Sequence, residues 1–227
     1  MKLDFNRLLV VKVVLYSCLI YFIYLLCLIT AQYIPINYEV AFLNIKQDEI
    51  QFTNYKLAFF GHVYSCIVII SLGLSQFSNT IRRQFAYIHK LSGKAYIALV
   101  LFIASPSGLI MAYYANGGLI PQISFSILSI LWFVFTLKAY QFIIKGDYQK
   151  HRNFMIRSYA LTLSAVSLRL FKYGIVTIFE LPPMDTYRIV SVLGWTINLG
   201  VAELIIRKIG LKRSLCKLLL KQKTPNQ

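Results

Sequence analysis

Acidic residues are scarce in this sequence: Asp and Glu number 8 against 24 Lys and Arg, giving a formal net charge of +16 over 227 residues. In a soluble chain such an excess points to nucleic acid. Here no stretch is both long and polar enough to fold into a soluble basic surface, so nucleic acid is not an expected partner. Cysteine is also sparse. Cys18, Cys27, Cys66 and Cys216 form no CxxC pair, and three of them lie inside apolar runs. That argues against a disulfide framework or a thiolate metal site and leaves them as small apolar fillers. A Walker loop, nucleophile elbow, dinucleotide fingerprint, kinase signature and HExxH motif are all missing.

What the chain has in abundance is apolar sequence. Hydrophobic residues make up 58% and the mean hydropathy is +0.62, whereas a soluble domain is about 45–50% apolar. The excess falls in six runs, at residues 8–30, 55–77, 95–115, 119–144, 153–179 and 187–206. Each approaches the roughly 20 residues needed to cross about 30 Å of hydrocarbon. The predicted fold is an all-α, polytopic membrane bundle of six crossings. Residues 1–208 form one membrane domain, and residues 209–227 form a basic tail. The first run is too long for a signal-peptide core and lacks a convincing cleavage site, so it reads as a retained crossing. No internal repeat is evident.

Charge then sets the orientation. The first loop, 31–54, carries Glu39, Asp48 and Glu49 against Lys46 alone. The second loop holds Arg82, Arg83, His89, Lys90 and Lys94, the fourth (145–152) is basic, and the fifth carries Glu180 and Asp185. The positive-inside rule then places both termini in the cytoplasm of a cell-membrane protein. Leucines are mixed with lysines over 209–220. That segment reads either as a helix on the anionic lipids of the inner leaflet or as a solvated end.

Polar residues inside the runs are the candidate functional groups, because ionisable side chains in hydrocarbon are expensive. Lys12, Lys56, Lys138 and Lys172 lie near run ends, where they can snorkel to water. Ser105, Pro106, Ser107 and Gly108 predict a kink in the third crossing, since proline removes a helical donor. His62 sits about 9 Å into the second crossing at 1.5 Å per residue. Arg169, in the fifth, reaches a similar depth. Ser158, Thr162, Ala165, Arg169 and Lys172 share one helical face, and His62, Ser65, Cys66, Gly73 and Gln76 share another. Both stripes read as faces turned into a bundle or polar cavity. His89 and His151 stand just before the third and fifth runs. Glu203 is the one carboxylate within a run, and Arg157 lies at a matching depth, so an ion pair between them is expected.

The motif His89-Lys-Leu-Ser-Gly93-Lys94 opens the third crossing, and His151-Arg152-Asn153-Phe-Met-Ile-Arg157-Ser-Tyr159-Ala160 opens the fifth. Trp195-x-x-Asn198-x-x-x-Ala202-Glu203 lies in the sixth. Over residues 54–207 this pattern resembles the family of predicted multi-pass membrane proteins called domain of unknown function 2306. The resemblance implies fold and topology and singles out His62, His89, His151, Arg157, Asn198 and Glu203. It implies no settled activity.

Four functions fit these residues. A redox protein would hold haem b through neutral imidazoles, with His89 and His151 as the axial pair near the inner interface and Arg82, Arg83, Arg152 or Arg157 on the propionates. His62 has no second histidine at its own depth. A transporter or small-molecule- or lipid-binding protein would use the Pro106 kink and Arg169 to form an anion or lipid-like ligand site. A metal-dependent enzyme would place a divalent ion on His89, His151 and either Asp147 or Glu203. An accessory protein would use the same charges to orient helices.

Overall fold

A bilayer offers the backbone no hydrogen-bond partners, so each crossing must satisfy its own N–H and C=O groups. The computed structural model meets that demand with helices alone. It describes residues 2–223, and the side chains of residues 10–214 apart from 11, 12, 15 and 212; no strand occurs among the described residues. Five helical stretches are long and apolar enough to cross a membrane: Thr53–Gln76, Ala86–Tyr113, Leu119–Ile144, Tyr148–Phe179 and Pro183–Leu211. They are preceded by helix α1 (Lys2–Ala31), whose described apolar part is Tyr16–Ala31. The expected snorkelling of Lys12 lies outside the described side chains. The chain divides into two units, Met1–Tyr114 and Ala115–Gln227.

In the first unit α1 packs against α2 (Thr53–Gln76), and α2 packs against the apolar span Ala86–Tyr113. That span comprises α4 (Ala86–Leu99), a π-helical turn at Val100–Ala104, and α5 (Ser105–Tyr113). A short helix, α3 (Asn79–Gln84), joins α2 to α4 and is capped by Ser78, whose hydroxyl accepts from the Ile81 N–H. Pro106 explains the π turn. It lacks an N–H, and its ring crowds the carbonyl four residues earlier, so the Ser105 N–H reaches back to Val100 O and the turn widens. The distortion predicted at 105–108 therefore falls one turn earlier.

The stretch between α1 and α2, expected as a plain loop, folds. It contains 3-10 turns at Ala41–Ile45 and Glu49–Gln51. Tyr33, Leu43 and Ile50 pack with Tyr55 and Phe59 of α2 into a buried aromatic-rich cluster. Tyr33 meets Phe59 edge to face with ring centroids 5.2 Å apart.

The second unit begins with a turn in which Gly117 and Gly118 adopt φ of +88° and +85°, conformations open to glycine at little cost. Helices α6 (Leu119–Ile144), α7 (Tyr148–Thr162), α8 (Ser164–Phe179) and α9 (Pro183–Lys223) follow. Asp147 caps α7, accepting from the Lys150 N–H at 2.9 Å. Leu163 interrupts the span Tyr148–Phe179 between α7 and α8. Gly194 of α9 lies so close to α8 that a Cβ there would come within 3.2–3.4 Å of Leu168 Cβ, Cα and N. Small residues at such crossings are how membrane helices approach.

Helix ends differ from the apolar runs in three places. The helix of the run expected from 95 begins at Ala86, that of the run expected from 153 begins at Tyr148, and α9 continues to Lys223 instead of stopping at 206. Hydropathy marks where lipid begins, whereas a helix continues until a cap or a proline ends it. His89 and His151, expected just outside crossings, consequently lie within the first turns of α4 and α7. The basic tail extends α9 as one helix, and its side chains beyond 214 lie outside the described residues.

Candidate functional site at the interrupted crossings

Each unit contains one crossing whose helix is interrupted, and polar side chains gather at the interruption. In the first unit the His62 Nδ1 of α2 lies 2.8 Å from Ala104 O, the last residue of the π turn, and 3.3 Å from Ser107 Oγ. A carbonyl only accepts, so Nδ1 carries the proton and Nε2 is the ring's basic nitrogen. Ser107 Oγ donates to Ile103 O at 2.6 Å. Further along α2, Gln76 Nε2 donates to Ser92 Oγ of α4 at 2.7 Å. Of the predicted stripe on α2, Ser65 and Gly73 are buried, while His62, Cys66 and Gln76 are half-buried.

In the second unit the end of α7 leaves its last carbonyls without helical donors. Asn198 of α9 supplies one, its Nδ2 donating to Ala160 O at 3.1 Å while Oδ1 accepts from Ser167 Oγ at 2.8 Å. Ser164 Oγ donates to Leu161 O at 2.5 Å, and Thr162 Oγ1 donates to Ser158 O at 3.1 Å. Ser158 Oγ also lies 2.7 Å from Thr136 Oγ1 of α6. One turn nearer the start of α9, Trp195 Nε1 donates to Ser124 Oγ at 2.9 Å, and Ser124 donates to Ser191 O at 2.9 Å. Asn198, Trp195, Ser191 and Arg188 recur every three or four residues, forming one face of α9. Arg188 Nε donates to Gly117 O at 2.9 Å and holds the glycine turn.

Arg157 and Glu203, expected to meet, form a bidentate ion pair, Nε to Oε1 at 2.5 Å and Nη2 to Oε2 at 3.0 Å. The guanidinium also lies 5.0 Å from the Phe154 ring centroid and 6.0 Å from that of Phe135. Cation–π contacts of this kind are made more often by arginine than by lysine. Arg169 is placed differently from its predicted stripe. Ser158 and Thr162 are buried, but Arg169 and Lys172 are exposed on their unit, and Arg169 Nη1 donates to Ala165 O at 2.7 Å. The stripe divides because the break at Leu163 shifts the register between α7 and α8. Of the other lysines, Lys56 lies over the Tyr38 ring and Lys138 over Phe154.

His151 Nδ1 lies 2.8 Å from Ala139 O of α6, which fixes the same tautomer as in His62. His89 is half-buried on α4 in the first unit, and His151 belongs to the second. The expected carboxylate partners of a metal are engaged elsewhere: Asp147 Oδ2 lies 3.1 Å from Lys150 Nζ, and Glu203 is paired with Arg157. Among the described residues no three of His, Cys, Asp and Glu come together as a metal site. Hydrogen bonds from the Lys150 backbone and side chain hold the Asp147 carboxyl below its ordinary value of 3.8.

One buried charge escaped the sequence reading. Lys46 is 1% exposed, and its Nζ donates to Glu49 Oε1 and to Tyr114 O, each at 2.5 Å. It thereby caps the C-terminal end of α5, where a cation is favourable. The signal lay in the exception: this lone cation in an acidic loop is followed three residues later by Glu49. Neutralised in this way, it leaves the loop's exposed charge acidic.

No curated protein and no solved structure matches the chain. A family described as predicted membrane proteins (DUF2306) matches residues 59–206. That stretch includes both interruptions and every histidine, together with Arg157, Asn198 and Glu203. The match covers more than half of the sequence, and the chain belongs to this family of predicted membrane proteins.

Proposed function

We propose that this chain is a six-crossing protein of the cell membrane, with both termini cytoplasmic, that binds and moves a small anion. The observation that carries the reading is the interruption of one crossing in each unit, at Val100–Ala104 and at Leu163. Discontinuous helices are how membrane proteins present backbone groups to a ligand at depth. Arg169, exposed on α8 within a crossing, supplies the positive charge that selects an anion, since ionisable side chains at membrane depth mark substrate and ion pathways. The basic extension of α9 rests against anionic lipids of the inner leaflet.

The test is efflux of radiolabelled lactate, phosphate or chloride from proteoliposomes containing purified protein. Flux above that of empty vesicles, lost in Arg169→Gln and partly restored in Arg169→Lys, supports the reading. Flux for none of the three anions, or flux indifferent to Arg169, overturns it.

A second reading is favoured by the histidine tautomers. Donation of Nδ1–H to a backbone carbonyl is the arrangement that turns Nε2 toward a metal, and His151 has it. Haem b ligation by His151 predicts a Soret band with sharp reduced α and β bands in detergent-purified protein from haem-supplied cells. A flat spectrum removes this reading and leaves transport untouched.

A further inference from the structure

We infer that the second loop and the start of α4 form a binding surface for anionic phospholipid headgroups, separate from the basic tail. No acidic residue occurs between Glu49 and Asp147, so Arg82, Arg83, Lys90 and Lys94 lie in a segment without a local counter-ion. Among the described residues, the ion pairs involve Lys46, Lys150, Arg157 and Arg188 and none of these four. All four are exposed, and Arg82 is oriented by a 2.8 Å hydrogen bond from Nη2 to Asn79 Oδ1.

The apolar side chains of the segment indicate a lipid rather than a soluble anion. Ser92 and Tyr96 turn the buried side of α4 toward α2, where Ser92 meets Gln76. The exposed side carries Tyr87, Lys90, Leu91 and Lys94, at spacings of three, one and three residues, which fall on one helical face. Tyr87 is 77% and Leu91 56% exposed, with Phe85 and Ile88 half exposed beside them. An exposed aromatic and leucine beside two lysines match the boundary of a leaflet: apolar groups enter the acyl region while cations meet phosphate. Soluble phosphate would leave those apolar groups in water.

Native mass spectrometry of the full chain in detergent, with phosphatidylglycerol and phosphatidylcholine of identical acyl chains, tests this surface. Wild type is expected to retain phosphatidylglycerol preferentially, and excess inorganic phosphate is expected not to displace it. Each cation removed among Arg82→Gln, Arg83→Gln, Lys90→Gln and Lys94→Gln is expected to weaken binding about fivefold, from roughly 1 kcal/mol per basic residue near an anionic surface. Arg82→Lys with Arg83→Lys should retain binding and controls for folding. Neutralising Lys217, Lys221 and Lys223 should leave it in place. The inference fails if the two lipids bind equally, if phosphate competes, or if the tail variant and not the loop variants loses the lipid.

Discussion

Glu203 and Arg157 illustrate what one side chain contributes when charge is carried into a membrane helix. The carboxylate engages the guanidinium at two points and the rings of Phe154 and Phe135 flank it, so removing one partner leaves the other charge poorly matched. Glu203→Gln is expected to destabilise the protein by about 1–2 kcal/mol, the lower part of the range for charged pairs because Glu203 is partly exposed. Arg157→Gln combined with Glu203→Gln should cost less than the two single changes summed, as thermal unfolding in detergent would reveal. Asp147 acts at a helix start in water. Asp147→Asn keeps the cap and loses only an exposed ion pair, so it should melt near wild type; Asp147→Ala loses both and should melt lower. The carboxyl is held below its ordinary value by Lys150. Its stabilising effect is therefore fully present above pH 3.8 and disappears as pH falls through the lower folded value. The gap between wild type and Asp147→Ala should stay constant from pH 8 to 5 and close only in stronger acid.

Between helices, the determining features are small residues and interruptions. Gly194 admits α8 so closely that an added Cβ meets the Leu168 backbone, which cannot rotate away. Gly194→Val is expected to lower the unfolding temperature through about 1–3 kcal/mol of overpacking, and Gly200→Val, where a Cβ meets nothing within 4 Å, should change it little. Such differences show how far the sequence can be read. Five of the six runs and the match in depth of Arg157 with Glu203 were legible, because hydropathy and 3.6-residue periodicity encode them directly. The π turn was half legible: Pro106 announced a distortion, but its place depended on which carbonyl the ring displaced. The break at Leu163 carries no proline or glycine, so nothing local marked it, and the stripe through Ser158, Thr162 and Arg169 was drawn straight across it. Lys46 could be counted in its loop, but its burial depended on contacts with Tyr114, 68 residues away.

At the scale of the whole chain, orientation is expected to follow from where unpaired positive charge remains. Lys46 is neutralised by Glu49 and by the end of α5, and Arg188 is held by Asp185 and Gly117. The loops expected outside thus lose most of their positive charge, whereas Arg82, Arg83, Lys90 and Lys94 keep theirs exposed. A fluorescent protein that matures only in cytoplasm should therefore fluoresce when fused to either terminus. Single cysteines introduced at Asn37 and at Gly118, in a background without the native four, should react with an impermeant maleimide on intact cells, and one at Gln84 only after lysis. Should the N-terminal fusion stay dark while the C-terminal one fluoresces, α1 does not cross, and the protein has the five spans that length and hydropathy assign to Thr53–Leu211. If Lys46→Gln and wild type keep the same labelling pattern, the buried lysine takes no part in orientation, as its pairing with Glu49 requires.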